Sequence, residues 1–362
     1  LVLAVFRVER KLVEDAAQSV CSFYLMPQDG QALPPFRPGQ FLTFRLDLPT
    51  ATGGTEQIVR CYSLSDAPRP DGYRVSIKRL LPPGGSQVPP GRSSGFFHDH
   101  VDVGSLLQVR APAGHFHIDR SDAPVVLIGG GIGITPMLSM LSWCLNEQPA
   151  REVWLFYGVR DGSELMMQAH LEALAAAHHN FHLRFCFSRP RAEESARSAD
   201  HHRGRIDVRL LRMELALKPY HFYICGPTTL MESLVPALED WGVPDAHIHF
   251  EAFGPASIKR RRAATSPATI PQNGAEDTGI VVTFAQSGKQ FPWQPGAGSL
   301  LEFAEANGIA VDSGCRAGGC GTCQTTIRVG EVAYRQPPDY DPEPGTCLLC
   351  VCVPRANVTL EV

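Results

Sequence analysis

The sequence predicts three consecutive folding units: an antiparallel β-barrel, a parallel α/β domain and a small α+β domain with a cysteine motif. Three observations support this order. Short β-patterned runs between Pro and Gly turns fill the first third, apolar strands alternate with helical patterns in the middle, and Cys-x4-Cys-x2-Cys lies near the C-terminus. We expect domains at residues 1–121, 122–253 and 278–362, with a linker at 254–277.

Length and composition limit the class of protein. A chain of 362 residues has room for two or three domains, and 44% apolar with 19% charged residues is ordinary for a globular protein. The net charge of −4 gives no reason to expect nucleic acid or a membrane surface as partner. Eleven cysteines without a signal peptide favour a reducing cytoplasm over a disulfide scaffold.

One uncharged stretch, Ala123–Asn146, is long enough to raise the question of a membrane span. Its glycines and Pro136 break it into a strand, a loop and a helix, so we expect no transmembrane segment. The chain starts abruptly in a strand-like pattern at residues 1–7, which leaves open that it is a fragment of a longer protein.

The strand and helix patterns place the motifs. In the first domain, the strand-like runs are Leu42–Leu46, Tyr73–Lys78 and Leu106–Arg110. In the second, strands are expected at Val125–Ile128, Val153–Tyr157, His182–Phe187, Phe222–Ile224 and His247–Glu251, and helices at Pro136–Leu145, Ser163–Ala177 and Thr229–Leu238. In the third, strands at Gly279–Phe284 and Lys289–Trp293 precede a helix, Ser299–Asn307, with a Ser299/Glu302 capping box and a stop at Gly308.

The cysteine motif carries the most specific signal. Cys315, Cys320 and Cys323, with Cys350 further on, have the spacing of plant-type [2Fe–2S] ligation. Glycines around the first three let a tight loop fold round an inorganic core and bring backbone N–H groups near the sulfurs. Cys347 and Cys350 also form a Cys-x2-Cys pair, which leaves a structural zinc site as an alternative.

Cys350 is the expected fourth ligand. Period-2 alternation over Leu349–Val353 predicts a strand that places Cys350 and Cys352 on one face. Leu348-Leu349-Cys350 before a proline-bearing end has a ferredoxin-like register, so we expect Cys350 to be the ligand and Cys352 to be a small buried side chain.

A flavin site is indicated by Arg60, Tyr62, Ser63 and Leu64. A flavin requires a flat surface to stack on, a hydrogen bond near its N5 atom and a cation for its phosphate. Tyr62 offers the flat surface, Ser63 the hydrogen bond and Arg60 the cation. Two further groups follow in the chain: Ile77, Lys78 and Arg79, then Gly91, Ser93 and Ser94. The second group leads into a helix whose N-terminus is suited to a pyrophosphate, although an ordinary capped helix start is the alternative.

A nicotinamide site is indicated by the glycine turn at residues 129–133, which follows an apolar strand and opens a helix. Its expected binding residues are Gly130, Gly131, Thr135 and Pro136, together with Cys225, Gly226 and Pro227 after a later strand. Cys225 has an alternative interpretation as a buried thiol with no part in binding. Glu251, at the end of the last predicted strand, has an alternative interpretation as an ordinary strand-end carboxylate.

Taken in this order, the motifs resemble the ferredoxin–NADP reductase superfamily. The Phe-His-Asp-His-Val run at residues 97–101 and the Glu251–Pro255 segment resemble the reductase module of flavohaemoglobins, and the C-terminal block resembles plant-type ferredoxin. The resemblance implies a flavin-binding barrel, a Rossmann-like NAD(P) domain and a β-grasp ferredoxin domain.

The resemblance also implies residue roles. Arg60, Tyr62 and Ser63 would contact the flavin, the two serines of the helix start would hold its phosphates, and Phe253 would lie against its ring. Cys225 would sit beside the nicotinamide C4 atom, with Glu251 moving a proton or orienting the ring. The flavin is expected to be FAD rather than FMN.

Ser188 and Arg189 resemble the pair that holds the 2′-phosphate in NADP-dependent relatives, and an Arg fork suits a phosphate. A solvated basic loop is the alternative, so the nucleotide is written NAD(P)H.

The expected function is an NAD(P)H:acceptor oxidoreductase that passes electrons through a flavin to the [2Fe–2S] cluster and on to a partner. That partner would be an oxygenase or a haem protein, including a fused domain. Residues 278–362 carry 5 Lys and Arg against 8 Asp and Glu, a net −3, which favours a basic docking face on the partner. The alternatives are a non-enzymatic redox sensor and a zinc-stapled binding module. Lys259–Arg262 could be a docking patch or a solvated linker face.

Overall fold

The computed structural model describes residues 3–50, 53–82, 89–191, 201–253, 279–294, 296–314, 316, 318, 321–335, 338 and 340–362. It has two compact units. The first spans residues 1–262 apart from Val59–Cys61, and the second comprises Ala263–Val362 together with those three residues. The expected linker and the basic run at 259–262 lie outside the described residues.

The first sheet is antiparallel and resembles a barrel, as predicted. Its described strands follow the order β4-β3-β6-β1-β2-β5, and a helix, α1, connects β5 to β6. The strands are β1 Ala4–Val13, β2 Val20–Pro27, β3 Phe41–Pro49, β4 Thr55–Ser63, β5 Tyr73–Lys78 and β6 Leu106–Ala113, and α1 is Arg92–His100.

Aromatic side chains fill the core of this sheet. Phe97 of α1 is fully buried, with its ring edge-on to Phe23 at 5.2 Å and to Phe44 at 5.4 Å. Burying one such side chain contributes roughly 1.5–3 kcal/mol. The helix is therefore held against the strands by its own apolar face, which places its N-terminus beside β4.

The second sheet is parallel, as the alternating pattern predicted. Its described strands follow the order β10-β9-β8-β7-β11-β12. The strands are β7 Val125–Gly130, β8 Val153–Val159, β9 Phe181–Phe187, β10 His201–Arg203, β11 His221–Gly226 and β12 Ile248–Ala252. The helices are α2 Ile134–Glu147, α3 Gln168–Ala177, α4 Val208–Glu214 and α5 Thr228–Trp241. The strand order reverses between β7 and β11, and ligands of open α/β sheets bind at such a switch point.

One predicted helix in this domain is shorter than expected. The pattern predicted a helix from Ser163, but α3 begins at Gln168, after Met167 in a left-handed conformation with φ 56°. The preceding residues have other partners: Asp161 accepts the Ser163 amide, and Glu14 accepts the Met167 amide. Tertiary contacts therefore outweigh the local helical pattern. Neither strand β10 nor helix α4 was predicted from the sequence.

The second unit contains the ferredoxin-like sheet. Its described strands form two groups, ordered β14-β13-β19-β15-β17 and β16-β18. They are β13 Val281–Phe284, β14 Lys289–Pro292, β15 Gln324–Val329, β16 Val332–Tyr334, β17 Thr346–Leu348, β18 Cys352–Pro354 and β19 Val358–Leu360. The helix α6, Leu300–Ala306, starts with the predicted capping box between Ser299 and Glu302, and Gly308 follows it with φ 68°.

The predicted strand over Leu349–Val353 is wrong. Leu349–Val351 forms one turn of 3₁₀-helix, and the strand begins only at Cys352. The amide of Leu349 donates to the Cys323 carbonyl at 3.2 Å, which turns the chain toward the cysteine loop. The period-2 argument that placed Cys350 and Cys352 on one face therefore does not apply. In the described part of the chain, no helix is long and apolar enough to cross a membrane.

Candidate functional site

Tyr62 and Ser93 meet where β4 passes the start of α1. Their hydroxyl oxygens lie 2.8 Å apart. The Tyr62 ring is edge-on to Phe97 at 5.2 Å and to Phe44 at 5.8 Å, so its position is fixed by the aromatic core. Ser63 is buried next to it, with 5% exposure. The fold thus joins two of the predicted flavin motifs, which are 31 residues apart.

The start of α1 is tied to the segment after β5. Ser94 accepts the Leu80 amide at 3.1 Å and donates to the Gly91 carbonyl at 3.1 Å. A Cβ atom on Gly91 would lie 2.6 Å from the Ser94 oxygen, so this position requires glycine. Gly91 offers no side-chain cap to the helix. The first amides of α1 are therefore suited to an anion.

The predicted cations of the flavin site differ in their partners. Arg60 is exposed on β4. Lys78 lies 3.8 Å from Glu164, a carboxylate with 10% side-chain exposure, and Arg79 forms an ion pair with Asp99 of α1.

The apolar residues predicted beside these cations point inward. Leu64 and Ile77 are buried in the core, with 0% and 1% exposure. Only their backbone atoms are thus placed to contact a cofactor.

A cleft of about 300 Å³ opens on the exposed side of α1. Cations and apolar side chains both line it, among them Arg79, Arg92, Phe96, His100 and Leu81. Asp99 lines it as well, and both arginines are ion-paired, Arg79 with Asp99 and Arg92 with Glu56.

At the switch point of the parallel sheet, the glycine turn packs directly on the end of β11. A Cβ atom on Gly133 would lie 2.3 Å from the Cys225 carbonyl oxygen, and one on Gly130 would lie 2.8 Å from the Pro227 ring. Gly226 approaches equally closely, since its Cβ would be 2.9 Å from the Cα of Gly130. The fold therefore brings together the two predicted nicotinamide motifs.

The turn continues into α2 through Gly131, Thr135 and Pro136. Gly131 has φ 54°, and the Thr135 hydroxyl donates to the Ile132 carbonyl at 3.0 Å. Pro136 lies in the first turn of α2, where its missing N–H removes no hydrogen bond.

Cys225 is the last residue but one of β11, and its side chain is fully buried. Its neighbours across the sheet are Gly129 on β7 and Glu251 on β12. Burial raises the pKa of this thiol well above its usual range, and the nearby Glu251 carboxylate acts in the same direction. Cys225 is therefore a neutral thiol.

Ser188 and Arg189 follow β9 and are both exposed. Their amides are fixed: that of Ser188 donates to Val159 at 3.0 Å, and that of Arg189 to Arg160 at 2.8 Å. Among the described residues, the Arg189 side chain has no ion-pair partner. Phe253, which follows β12, is 41% exposed.

In the cysteine domain, Cys323 and Cys350 are buried, with 3% and 9% exposure. Cys315 and Cys320 lie outside the described residues. The described residues alone form no group of three metal-ligating side chains, so a four-thiolate site depends on those two cysteines.

The surroundings of the cysteine loop fit a tightly folded cluster loop. A Cβ atom on Gly321 would lie 2.5 Å from the Tyr340 ring, and the Tyr340 amide donates to the Gly318 carbonyl at 3.0 Å. Cys347 and Cys352 are fully buried. A hydrogen bond to Cys347, burial and the nearby Cys323 all raise the pKa of the Cys352 thiol, so this pair lies close to one of the expected ligands. Thiolate ligands in a compact glycine loop suit iron–sulfur chemistry.

Sequence reasoning missed Glu164. Its carboxylate lies 2.7 Å from the Arg160 Nε atom and 3.8 Å from Lys78, so it links the barrel to the parallel domain. The sequence pattern only placed Glu164 within the predicted helix Ser163–Ala177, and Lys78 is 86 residues away in the chain. No local signal could have indicated this contact.

Two family models match the chain. Residues 127–235 match the oxidoreductase NAD-binding domain, and residues 282–355 match the 2Fe-2S iron-sulfur cluster binding domain. They cover the parallel sheet with its glycine turn and the cysteine domain, respectively.

A solved structure decides the family of the first unit. The flavohem-like FAD/NAD binding domain of nitric oxide dioxygenase from Vibrio cholerae is 33% identical, with a TM-score of 0.60, and the match covers 70% of this chain and 99% of that one. The chain belongs to the ferredoxin–NADP reductase superfamily. It combines a flavin- and nicotinamide-binding reductase module with a [2Fe–2S] domain.

Two further comparisons place this superfamily member. Phthalate dioxygenase reductase, a modular structure for electron transfer from pyridine nucleotides to [2Fe–2S], is 25% identical with a TM-score of 0.58, and the match covers 99% of this chain and 98% of that one. The flavohemoprotein of Halalkalibacterium halodurans is 37% identical over 252 residues, which is 69% of this chain and 60% of the relative. The chain thus spans about 60% of the length of the curated relatives it matches.

Proposed function

We propose that this reductase takes electrons from NAD(P)H and delivers them singly to a partner protein. The observation that carries the proposal is the contact between Gly133 and Cys225 at the switch point, within the same compact unit as the Tyr62–Ser93 contact. When bound, the flavin supplies acceptance of a hydride and release of single electrons, and the cluster supplies one-electron transfer.

The chain's own residues bind and orient. Tyr62 presents an aromatic surface for the flavin ring, Ser63 a hydroxyl for its N5 region and Arg60 a cation for its phosphate. The amides at the start of α1, with Ser93, hold phosphate oxygens. Leu64, Ile77, Lys78, Arg79, Gly91 and Ser94 shape the same site.

At the nicotinamide site, the glycine turn receives the pyrophosphate through its free amides. Cys225 provides a neutral side chain beside the ring. The raised pKa and the burial of its thiol support a packing role over proton transfer. Glu251 orients the ring, and Phe253 covers the flavin.

The cleft beside α1 supports FAD over FMN. Its lining includes Pro90 and Gly91 at the helix start and the Phe96 ring, which suit the part of FAD that FMN lacks. Arg79 and Arg92 would exchange their ion pairs with Asp99 and Glu56 for a phosphate. Release of the bound flavin by heat and measurement of its mass distinguishes the two.

In the cysteine domain, Cys315, Cys320, Cys323 and Cys350 would hold the cluster. The acceptor is an oxygenase or a haem protein. Because residues 278–362 carry a net charge of −3, we expect its docking face to be basic. Reduction of the acceptor then slows as ionic strength rises.

The cytoplasmic location of the protein stays a prediction from the cysteine count.

One spectrum tests the proposal. The purified protein is expected to show flavin and iron–sulfur absorption, and both should bleach under anaerobic conditions after NADH or NADPH is added. A coloured protein that neither nucleotide reduces would support the redox sensor instead, and a colourless protein would support the zinc module.

A further inference from the structure

His98 links α1 to two strands of the barrel. Its Nε2 atom lies 2.8 Å from the Ile77 carbonyl oxygen on β5, and its Nδ1 atom lies 3.6 Å from the Cys21 sulfur on β2. Cys21 and Ile77 are directly opposed in the β2–β5 pair. One imidazole in the last turn of the helix therefore bridges both strands of this pair.

The two contacts determine the tautomer. A carbonyl oxygen only accepts hydrogen bonds, so the proton is on Nε2. In the neutral ring Nδ1 is then an acceptor, and the Cys21 thiol donates to it. Burial raises the pKa of Cys21, which keeps this donor protonated.

The helix is thus fixed at both ends. Its N-terminal end is held by Ser93 against Tyr62 and by Ser94 against the Leu80 amide. At the other end, Lys11 of β1 donates to the His98 carbonyl at 2.9 Å, in addition to the imidazole contacts. A short helix with anion-binding amides requires such anchors, because displacement by 1 Å disrupts a positioned site.

We infer that His98 is a positioning residue of the flavin site: its neutral imidazole, through Ile77 and Cys21, holds α1 where the helix N-terminus and Ser93 meet the flavin phosphates. This inference rests on the proposed function. The same contact fixes the backbone of Ile77, which directly precedes Lys78.

Protonation of His98 would add a second N–H, at Nδ1, opposite the Cys21 thiol, and remove the acceptor. Burial lowers the pKa of His98 below its usual 6.5, and the Arg79 and Lys11 cations act in the same direction, whereas the Ile77 carbonyl and Asp99 oppose them. Asp102 also lies near this contact, because it accepts a hydrogen bond from the Lys11 ammonium group. The bridge is therefore complete at neutral pH and weakens in acid.

The test measures flavin dissociation constants of apoprotein reconstituted with FAD and, separately, FMN. His98→Phe keeps the ring volume and loses both contacts, so binding of the preferred flavin should weaken roughly tenfold. His98→Gln can still donate to Ile77 and should recover most of the affinity. Wild-type affinity should be constant above pH 6.5 and fall as the pH is lowered further, whereas His98→Gln should lack this fall.

His182→Phe is the matched control. His182 is another half-buried histidine with a pKa lowered by burial, but it stacks on Trp154 in the parallel domain. Its replacement should leave flavin affinity and its pH profile as in wild type.

Flavin affinity of His98→Phe within twofold of wild type would overturn the inference, as would wild-type and His98→Gln pH profiles that coincide. Should His98→Phe fail to fold, His98→Gln and the wild-type profile decide. Wild-type protein that binds neither flavin would instead refute the proposed function, and this inference with it.

Discussion

The carbonyl oxygen of Cys225 lies where a side chain on Gly133 would have to be, 2.3 Å from the Cβ position. The glycine turn of β7 and the end of β11 are therefore in backbone contact. One segment follows β7 and the other ends β11, and these two strands are neighbours at the centre of the parallel sheet, so the two segments pack as one unit. This contact therefore sets the distance between the backbone amides of the glycine turn and the Cys225 thiol.

The first prediction follows from that contact. Gly133→Ala should raise the KM for NAD(P)H at least tenfold and lower the stability of the protein by roughly 1–3 kcal/mol, because overpacking displaces the turn. Flavin should stay bound, since the barrel is not involved. Steady-state kinetics with a dye acceptor and thermal unfolding measure both effects.

Gly54→Ala is the control for this substitution. Gly54 lies in the exposed turn between β3 and β4, and its Cβ would be at an ordinary 3.4 Å from Thr50. Its kinetics should match wild type. Wild-type KM and stability for Gly133→Ala would show that the turn does not bind the nucleotide as proposed.

The second prediction concerns Cys225. Cys225→Ala should slow reduction of the flavin by NAD(P)H by about tenfold to a hundredfold, because the ring loses its packing partner and its position. The flavin spectrum and flavin affinity should not change. Rapid-mixing absorbance of the anaerobic protein measures the rate.

Cys186→Ala is the matched control. Cys186 is also a buried thiol whose pKa burial raises to about 12, but it lies on β9, two strands from β7. Equal rate losses in the two variants would mean that Cys225 acts only through packing of the sheet.

The third prediction separates the cysteines of the C-terminal domain. Cys350→Ser should lose most of the iron–sulfur absorption and acid-labile sulfide, because one thiolate ligand is removed. Cys352→Ser should keep both, because Cys350, and not the fully buried Cys352, is the expected fourth ligand. Flavin reduction by NAD(P)H should persist in each variant. Retention of the cluster in Cys350→Ser, with loss in Cys352→Ser, would reverse the ligand assignment.

The fourth prediction concerns the choice of nucleotide. Arg189→Ala should raise the KM for NADPH roughly tenfold and leave that for NADH unchanged, because a charge-assisted contact to the 2′-phosphate is lost. The comparison is Arg205→Ala, an exposed arginine of the same region. If both variants affect NADPH equally, the segment is a general basic surface and Arg189 has no specific role.

The sequence predicted well where a motif is local. The Ser299/Glu302 capping box and the glycine turn after β7 depend on residues within a few positions, and both have the expected form. The turn at Leu349 was predicted wrongly because a hydrogen bond to Cys323, 26 residues away, outweighs the period-2 pattern.

Contacts at longer range had no signal at all. Lys78 and Glu164 meet only because the barrel and the parallel domain pack together, and His98 meets Cys21 across 77 residues. Such pairs are brought together by the topology of the fold, and a single sequence indicates that topology only through its motifs. The site's residue types were therefore predictable, whereas the residues that position them were not.

The fifth prediction is the pH dependence of stability. Burial is the largest cause of the lowered pKa values of His98, His182 and His221, of which His221 also lies 3.0 Å from Asp119 and stacks on His247. The unfolded chain binds protons at these positions near pH 6.5, before the folded chain does. Their contribution to stability is thus complete above about pH 6.5 and is lost as the pH falls toward the folded values.

The midpoint of thermal unfolding should therefore decrease between pH 7 and pH 5.5. It is measured on flavin-free protein, because a pH-dependent flavin affinity would otherwise contribute to the change. His182→Phe should reduce the decrease, because one of the three groups no longer takes up a proton on unfolding. The stack of His182 on Trp154, at 4.4 Å, is replaced there by a ring of similar size. A midpoint that is constant or rises toward pH 5.5 would show that these histidines are as easily protonated in the folded protein as in the unfolded chain.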